Sequence, residues 1–397
     1  MRILQLVPRF PFPLIDGGAI GIYKPTQAVA ALDHEITMVT FPDPDEQVTN
    51  AGLQELRKFC RVELVSRPLP SRNATLVRTI FKGAYPIERR MMPEMFELLK
   101  KLLSENTYDL VHIDACHMGN YGIWIKENYR LPVILRQHNF ETLIYERFAA
   151  TTKNPIAKFI ASIHAKRMLK EETRIMAALK HIVAITKQDE EIMRRYVPSA
   201  EYSIIPAGVD TSYFLPRDVA KQEDRILWIG GMSWEPNRDA IEFFAKEILP
   251  DIVKEHPQIR FDIVGEGTET LGIAGGNITV HGRVPDIRGY LEKAKILICP
   301  LRIGGGMRLK LLDFFAAGKA VVSTHIGAEG NIGQDGVHIL LRDDARSFAE
   351  GVNLLLSNES LLHTIERNAR ELAEVQYSWG GIAKQFVGTY ERLLEHQ

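Results

Sequence analysis

Short apolar runs bounded by glycine, proline or polar clusters alternate along the chain with longer segments whose apolar positions recur every three to four residues. The runs read as buried strands and the periodic segments as helices. In the first half, strands are expected at 2–7, 35–41, 60–65, 108–114, 132–137 and 181–186, with helices at 17–32, 50–58, 93–105, 154–180 and 187–196. After residue 206 the alternation restarts: strands at 225–230, 260–264, 278–281, 296–300, 320–324 and 338–341, and helices at 238–256, from 309 to the Gly318 stop, 343–356, 359–374 and 379–394. Strands that alternate with helices predict parallel α/β sheets, and a chain of 397 residues with one restart predicts two domains. Residues 42–48 read as a polar loop, and 68–92, with Arg72, Arg78, Lys82, Arg89 and Arg90, as a loop-and-helix excursion of the kind that carries binding specificity.

The stretch 296–324 concentrates candidate chemistry. Ile296 to Cys299 is an apolar run ended by Pro300, Gly304, Gly305 and Gly306 follow, and Leu309, Leu312 and Ala316 then fall at helical spacing up to Gly318. A glycine loop that opens a helix leaves backbone N–H groups at the positive end of the dipole, which favours an anion. Arg308 and Lys310 place two cations in that first turn, where the dipole alone disfavours them. A nucleotide diphosphate would offset the cost, and Asp313 could accept hydrogen bonds from a ribose diol. The plainer reading is a Lys310–Asp313 pair on one helix face beside a tight turn.

A second strand, glycine loop and helix follows Val7: Pro8 to Pro13 break the strand and Asp16-Gly17-Gly18 open the helix. Gly17 and Gly18 would let a backbone approach a phosphate or a sugar. The Gly-x-Gly-x-x-Gly spacing is absent, which argues against a nicotinamide dehydrogenase. Two further strands end in polar residues, the first with His112, Asp114 and His117, the second with His138, Asn139 and Glu141. Ligands of parallel sheets sit at such ends, although a histidine after a strand is often structural.

With 45% apolar and 25% charged residues the composition is that of a globular protein with a sizeable core. No run reaches the roughly 18 apolar residues of a membrane span, and Met1 to Val7 enters a strand directly, so a cytoplasmic location is expected. Cys60, Cys116 and Cys299 are scattered and predict neither disulfides nor a zinc site. The net charge of −1 hides an asymmetry: residues 1–205 hold 28 Lys/Arg against 23 Asp/Glu, and residues 57–101 hold 11 against 4. A basic first half favours an anionic acceptor or surface. The helix expected at 154–180, with Lys158, Lys166, Arg167, Lys170 and Arg174, fits contact with anionic lipid headgroups as well as a solvated face.

Several of these segments together resemble one family. Ser203 to Pro216 carries Pro206-Ala-Gly-Val-Asp210 followed by Phe214 and Pro216, similar to the interdomain signature of the retaining family 4 (group 1) glycosyltransferases. The loop 304–313 resembles that family's donor element, in which two glutamates stand eight positions apart; Asp313 matches the second, and Gly305 stands where the first would be. The form Gly-Gly-Gly-x-Arg-x-Lys resembles one branch of the family, as does His138-Asn-x-Glu141. The resemblance implies a GT-B fold, α/β with two Rossmann-like doubly wound parallel-sheet domains facing across a cleft. Residues 1–205, joined by helix 378–397, would bind the acceptor, and 206–377 the donor.

It further implies transfer of a sugar from a UDP- or GDP-linked donor, with retention and with no metal ion or cofactor, to a glycan, lipid-linked or small-molecule acceptor. His138, Arg308 and Lys310 are the expected catalytic residues. Gly17, Gly18, Gly231, Gly265, Val284, Gly304, Gly305, Gly306, Asp313 and Glu329 are expected around the donor, and His112, Asp114, His117 and Glu141 on the acceptor side. Relatives carry an Arg/Lys pair near Gly231 and Glu235 that this chain lacks, so Arg308 and Lys310 are expected to supply that charge, with Trp234 and Asn237 shaping the pocket or Asn237 capping the helix. No nucleic-acid partner is expected; a peripheral contact of the basic N-terminal domain with the inner face of an anionic membrane is. Two alternatives stay open, a nucleotide-sugar epimerase or hydrolase on the same fold and a non-catalytic binding module.

Overall fold

The computed structural model describes residues 1–14, 17–70, 83–152, 154–216, 224–304 and 306–395. The chain forms two compact units, Met1–Pro206 with Ile382–Gln397, and Ala207–Gly381. The first holds strands β1 (Arg2–Leu6), β2 (Glu35–Thr40), β3 (Arg61–Leu64), β4 (Leu110–Asp114), β5 (Val133–Gln137), β6 (His181–Ala184) and β7 (Glu201–Ile204) in the order β3-β2-β1-β4-β5-β6-β7. The second holds β8 (Arg225–Ile229), β9 (Arg260–Val264), β10 (Ile278–Gly282), β11 (Ile296–Cys299), β12 (Ala320–Ser323) and β13 (Leu340–Leu341) in the order β10-β9-β8-β11-β12-β13. Every strand pairing in both sheets is parallel.

Parallel strands must be joined by crossovers, and the crossover helices cover both faces of a sheet. The strands therefore read as apolar runs, and alternate residues serve opposite cores. Ile226, Trp228, Ile263, Ile296, Ile298 and Val322 enter one cluster; Leu227, Val264, Leu297, Cys299 and Val321 enter the other. Helix Leu309–Ala316 adds Leu311, Leu312, Phe314 and Phe315 to the second cluster, which anchors the glycine loop against the sheet. Full burial of each such side chain contributes about 1.5–3 kcal/mol.

Several elements depart from the sequence reading: β7 and the helices Gly119–Tyr129 and Arg288–Lys293 were not expected, and three further differences have a local cause. The expected loop 42–48 already contains a helix start, because Asp45 accepts from Gln47 N–H at 2.8 Å and begins helix Glu46–Leu56. The helix expected at 154–180 is the second of two, Glu141–Thr151 and Pro155–Leu179, the latter opened by Asn154, whose side chain accepts from Ala157 N–H at 3.2 Å. Asn237 does not cap its helix: Glu235–Phe243 begins two residues earlier, and Asn237 Nδ2 donates to Gly231 O at 2.8 Å, fixing the loop after β8. Arg72, Arg78 and Lys82 lie outside the described residues, whereas Arg89 and Arg90 donate to the carbonyls of Pro70 and Pro8 at 2.8 and 2.7 Å. Gly208 serves a close approach, with the Trp379 indole standing 2.5 Å from where its Cβ would be.

At the carboxyl edge of the second sheet the loops after β8, β9 and β10 are bonded side by side: Gly230 N–H donates to Val264 O at 2.9 Å, and Gly265 N–H to Gly282 O at 2.8 Å. Gly265 has φ +152°, and a Cβ there would overlap the Gly230 carbonyl. Gly265→Ala is therefore expected to cost about 1–3 kcal/mol of unfolding free energy. Gly289→Ala, which meets open space on helix Arg288–Lys293, should be neutral or stabilising. Denaturant melts of the two variants check the pair.

Candidate active site

In each sheet the strand order reverses once, between β1 and β4 and between β8 and β11. Ligands of open parallel sheets bind outside the carboxyl ends at such a point. In the second unit that point is flanked by Gly230 and Gly231 after β8 and by the glycine loop after β11. Gly265, Val284 and Glu329 follow β9, β10 and β12 on the same edge.

Gly304 (φ +143°) and Gly306 (φ +80°) lie in the left-handed region, and Gly305 is outside the described residues. A side chain at Gly304 would collide with the Arg308 guanidinium. Arg308 is the N-cap of helix Leu309–Ala316 and no side chain caps the first turn. Its guanidinium is buried and stacks over Trp234 at 5.0 Å. Lys310 Nζ donates to Ile229 O at 3.0 Å, 4.8 Å from the Trp228 ring centroid. Burial lowers the Lys310 amine, and Arg308 adds to this. Lys310 is thus turned toward the end of β8 and not to Asp313, so the pair within the helix does not form. Asp313 is half-buried, and burial pushes its carboxyl up to about 7. A Cβ at Gly231 would stand 3.9 Å from Glu266 O and Ser233 Oγ, an ordinary contact, and Val284 and Glu329 are half-buried.

In the first unit Gly17 and Gly18 form the first turn of helix Gly17–Ala30, which follows β1; Asp16 lies outside the described residues. One turn on, the His138 ring packs against Gly21, its Cε1 3.6 Å from where a Cβ would be. His138 Nε2 stands 2.9 Å from Asp114 Oδ1. Asp114 is fully buried, accepts from Gln5 Nε2 at 2.6 Å, and has Arg136 Nη1 at 3.5 Å and His112 Nε2 at 3.6 Å. Burial pushes the Asp114 carboxyl up, but His112, His138 and Arg136 outweigh it and hold it well below the usual range. An ionised carboxylate only accepts, so the hydrogen on His138 Nε2 points at Asp114 and the ring is fixed in one orientation.

The structure therefore joins Asp114 to His138, with His112 beside Asp114, and sets His117 and Glu141 against each other. His112 is buried, with Nδ1 2.6 Å from Tyr390 Oη, and packs against Phe386. His117 Nε2 stands 3.7 Å from Glu141 Oε2, too far for a hydrogen bond. Burial lowers His117; burial raises Glu141, but His117, His138 and Arg90 together more than reverse that.

Glu172, absent from the sequence reading, accepts from Gln137 Nε2 (2.9 Å), from the N–H groups of Glu141 (2.8 Å) and Thr142 (3.1 Å) and from Thr142 Oγ1 (2.8 Å). It ties the loop after β5 to helix Pro155–Leu179. Gln5, Thr26 and Arg136 were missed as well. The available signal was a polar residue inside a fully buried strand, Gln5 in β1 and Arg136-Gln137 in β5, since such residues must find partners. The metal-free expectation overlooked an Asp-x-Asp spacing at Asp43-Pro-Asp45; there Asp45 caps its helix and Asp43 accepts from Asp45 N–H at 2.9 Å. No helix among the described residues is long and apolar enough to cross a membrane.

Asp114→Asn would leave the buried Arg136 guanidinium without its counter-charge. It is expected to cost about 3–5 kcal/mol at pH 7. Because the folded-state pKa is depressed, the wild-type advantage is present above the ordinary value of 3.8 and is lost as pH falls below it. Denaturant melts of wild type and variant at several pH values check both size and sign.

Residues 15–213 match the family described as Glycosyltransferase Family 4, and residues 223–358 match Glycosyl transferases group 1. The phosphatidyl-myo-inositol mannosyltransferase of Mycobacterium tuberculosis is 26% identical over 319 residues, 76% of this chain and 78% of that one. Sucrose-phosphate synthase from Thermosynechococcus elongatus superposes with a TM-score of 0.71 at 18% identity, over 100% of both chains. Anabaena HepE in complex with UDP gives 0.69 at 14%, over 99% of this chain and 100% of that one. These likenesses establish the GT-B type of fold, two parallel-sheet α/β units. With the first family match spanning half of the residues and the second lying in the other unit, the chain belongs to glycosyltransferase family 4.

Proposed function

We propose that this glycosyltransferase moves a hexosyl-type sugar from a UDP- or GDP-linked donor, held by the second unit, to an acceptor held by the first, with retention of anomeric configuration and without a resident metal or cofactor. Asp313 carries the reading. It is a half-buried carboxyl at the sheet's switch point, pushed up to about 7 by burial. Among the described residues no side chain donates a hydrogen bond to it. A ribose diol brings two donors to an acceptor that the described residues leave unserved.

Cleavage of the sugar C1–O bond places negative charge on the β-phosphate. Arg308, Lys310 and the uncapped amides of helix Leu309–Ala316 lie at the carboxyl edge of the sheet and would stabilise the charge. The glycine loop, with Gly304 and Gly306, lets the diphosphate approach the backbone. Gly17 and Gly18 supply a second close-approach turn. Gly231, Gly265, Val284 and Glu329 would line the rest of the donor site. The departing phosphate would take the acceptor proton on the same face, so no separate base is assigned. His138, oriented by Asp114, would orient the sugar or balance the positive charge developing at C1. The acceptor is a glycan, a lipid-linked glycan or a small molecule, and the basic first unit suits one that is anionic or presented at an anionic surface.

A thermal-shift panel of UDP, GDP, ADP and their sugar conjugates is expected to give a shift with one base, because a ligand selective for the folded state raises Tm. The shift should vanish in Asp313→Ala and in the double variant Arg308→Ala/Lys310→Ala. No shift with any nucleotide, or an equal shift in the variants, overturns the donor site. Lys310→Ala alone should retain nucleotide binding and lower turnover about 10²-fold, the order expected for one lost charge-stabilising donor.

The diol is accepted by the Asp313 carboxylate. Affinity for the nucleotide sugar, whose diphosphate does not titrate near neutrality, should therefore rise with pH through about 7. In Asp313→Asn this dependence should flatten. The raised folded-state pKa also means that the cost of Asp313 to the free protein builds up between its ordinary value of 3.8 and about 7 and is fully present above that. The same variant should then melt higher than wild type at pH 8 while binding more weakly, which separates a ligand role from a structural one.

A further inference from the structure

Alternate residues of a strand face the same side of a sheet. The register of the first unit puts four polar residues on one side of three neighbouring strands. Gln5 of β1 stands opposite His112 of β4, and Asp114 of β4 stands opposite Arg136 of β5. All four are buried. The C-terminal helix Trp379–Glu395 belongs to the same unit and closes this layer with Phe386 and Tyr390, both buried. The Phe386 ring centre lies 5.2 Å from the Arg136 guanidinium carbon and 5.6 Å from the His112 ring centre.

Buried polar groups need partners, and the ionised Asp114 dictates how these are served, since a carboxylate only accepts. Its Oδ1 has His138 Nε2 at 2.9 Å and Arg136 Nη1 at 3.5 Å; its Oδ2 accepts from Gln5 Nε2 at 2.6 Å and has His112 Nε2 at 3.6 Å. Arg136 balances the charge of Asp114, so a neutral His112 ring completes a layer of zero net charge. With its Nε2–H turned to Asp114, that ring accepts at Nδ1, and Nδ1 is 2.6 Å from Tyr390 Oη. Burial, with Asp114 nearby, pushes the Tyr390 phenol far up, so it keeps its proton and donates it. The hydrogens thus run one way, from Tyr390 to His112, and from His112 and His138 to the two oxygens of one carboxylate.

Rotamer preference does not fix these groups. The terminal torsions of histidine and aspartate are broad and roughly two-fold, so hydrogen bonds decide which edge each presents. Without the Tyr390 hydroxyl the His112 ring can turn, Asp114 Oδ2 loses a directed donor, and the carboxylate can rotate away from His138. We propose that Tyr390, acting through His112, is a positioning residue for His138, so that the C-terminal helix sets the orientation of the ring at the first unit's site. This rests on the role proposed for His138 and adds the groups that control it.

The experiment uses the full chain labelled with ¹⁵N-histidine. Long-range proton–nitrogen spectra distinguish the two ring tautomers, and single His→Gln variants assign His112 and His138. In wild type both rings are expected as the Nε2–H form, with the His138 hydrogen slow to exchange. Tyr390→Phe removes one oxygen and keeps the ring. It should move the His112 Nδ1 resonance to that of an unbonded nitrogen and speed exchange at His138 about five-fold, the equilibrium worth of one neutral hydrogen bond. His112→Leu should do at least as much to His138. Tyr390→Phe should add nothing on that background, because the hydroxyl acts only through His112. His112→Gln, whose amide can still donate to Asp114, should restore slow exchange. Nucleotide release from UDP-glucose or GDP-mannose, with water as the acceptor, should fall by about the same factor in Tyr390→Phe while KM stays unchanged.

A His112 ring that carries its hydrogen on Nδ1 overturns the inference, and wild type alone decides this even where a variant fails to fold. Wild-type exchange at His138 in Tyr390→Phe overturns it too, as do effects of Tyr390→Phe and His112→Leu that simply add. Where neither sugar nucleotide is turned over, the spectra decide by themselves. A His138→Gln protein that releases nucleotide at the wild-type rate counts instead against the role proposed for His138, and the spectra still test the link from Tyr390.

Discussion

A parallel strand pair cannot be closed by a tight turn, and this one constraint arranges the molecule. Each connection must cross over, the crossovers are helices, and the helices bury both faces of the sheet. Polar chemistry is thereby confined to the loops at the strand ends. Where the strand order reverses, neighbouring loops diverge to opposite faces and leave a crevice. In the second unit the β8 and β11 loops flank that place, and both are glycine-rich. The core residues of helix Leu309–Ala316 hold the glycine loop to the sheet, so the same packing that stabilises the unit also aims Arg308 and Lys310.

The two units treat a buried carboxyl in opposite ways. Asp114 is surrounded by Gln5, His138, Arg136 and His112, and the surrounding charge overcomes desolvation. Its ionised form is part of the folded structure, and it fixes the ring of His138. Asp313 has desolvation without compensation, so its ionised form costs stability. A group fully served by protein partners is a structural and positioning element. A group held at a cost by desolvation alone is one that a hydrogen-bonding ligand would relieve.

Much of the architecture was legible in the residues. The apolar runs at β8, β9 and β11 fall within a residue of the strands observed, because a strand buried on both faces must be apolar throughout. The interruption near Pro206 and the stop at Gly318 were equally readable. Helix boundaries were less so where a side chain outside the periodic pattern did the capping, as at Asp45 and Asn154. Helix Glu141–Thr151 was missed because much of its outer surface is apolar, which blurs the amphipathic signal.

The sequence by itself determined the order of elements, the glycine loops, and which residue types stand at the strand ends, since these follow from local periodicity and backbone preference. Only the tertiary structure decided which strands are neighbours, and hence that the loops after β8 and β11 share a switch point. It also decided that His112 pairs with Tyr390 and lies beside Asp114, that Asp114 fixes His138, that Lys310 turns to Ile229 and not to Asp313, and that Glu172 gathers a loop 30 residues away in sequence. The reason is physical: hydrogen bonding and desolvation depend on distances in space, and pairings between residues remote in the chain leave no periodicity to read.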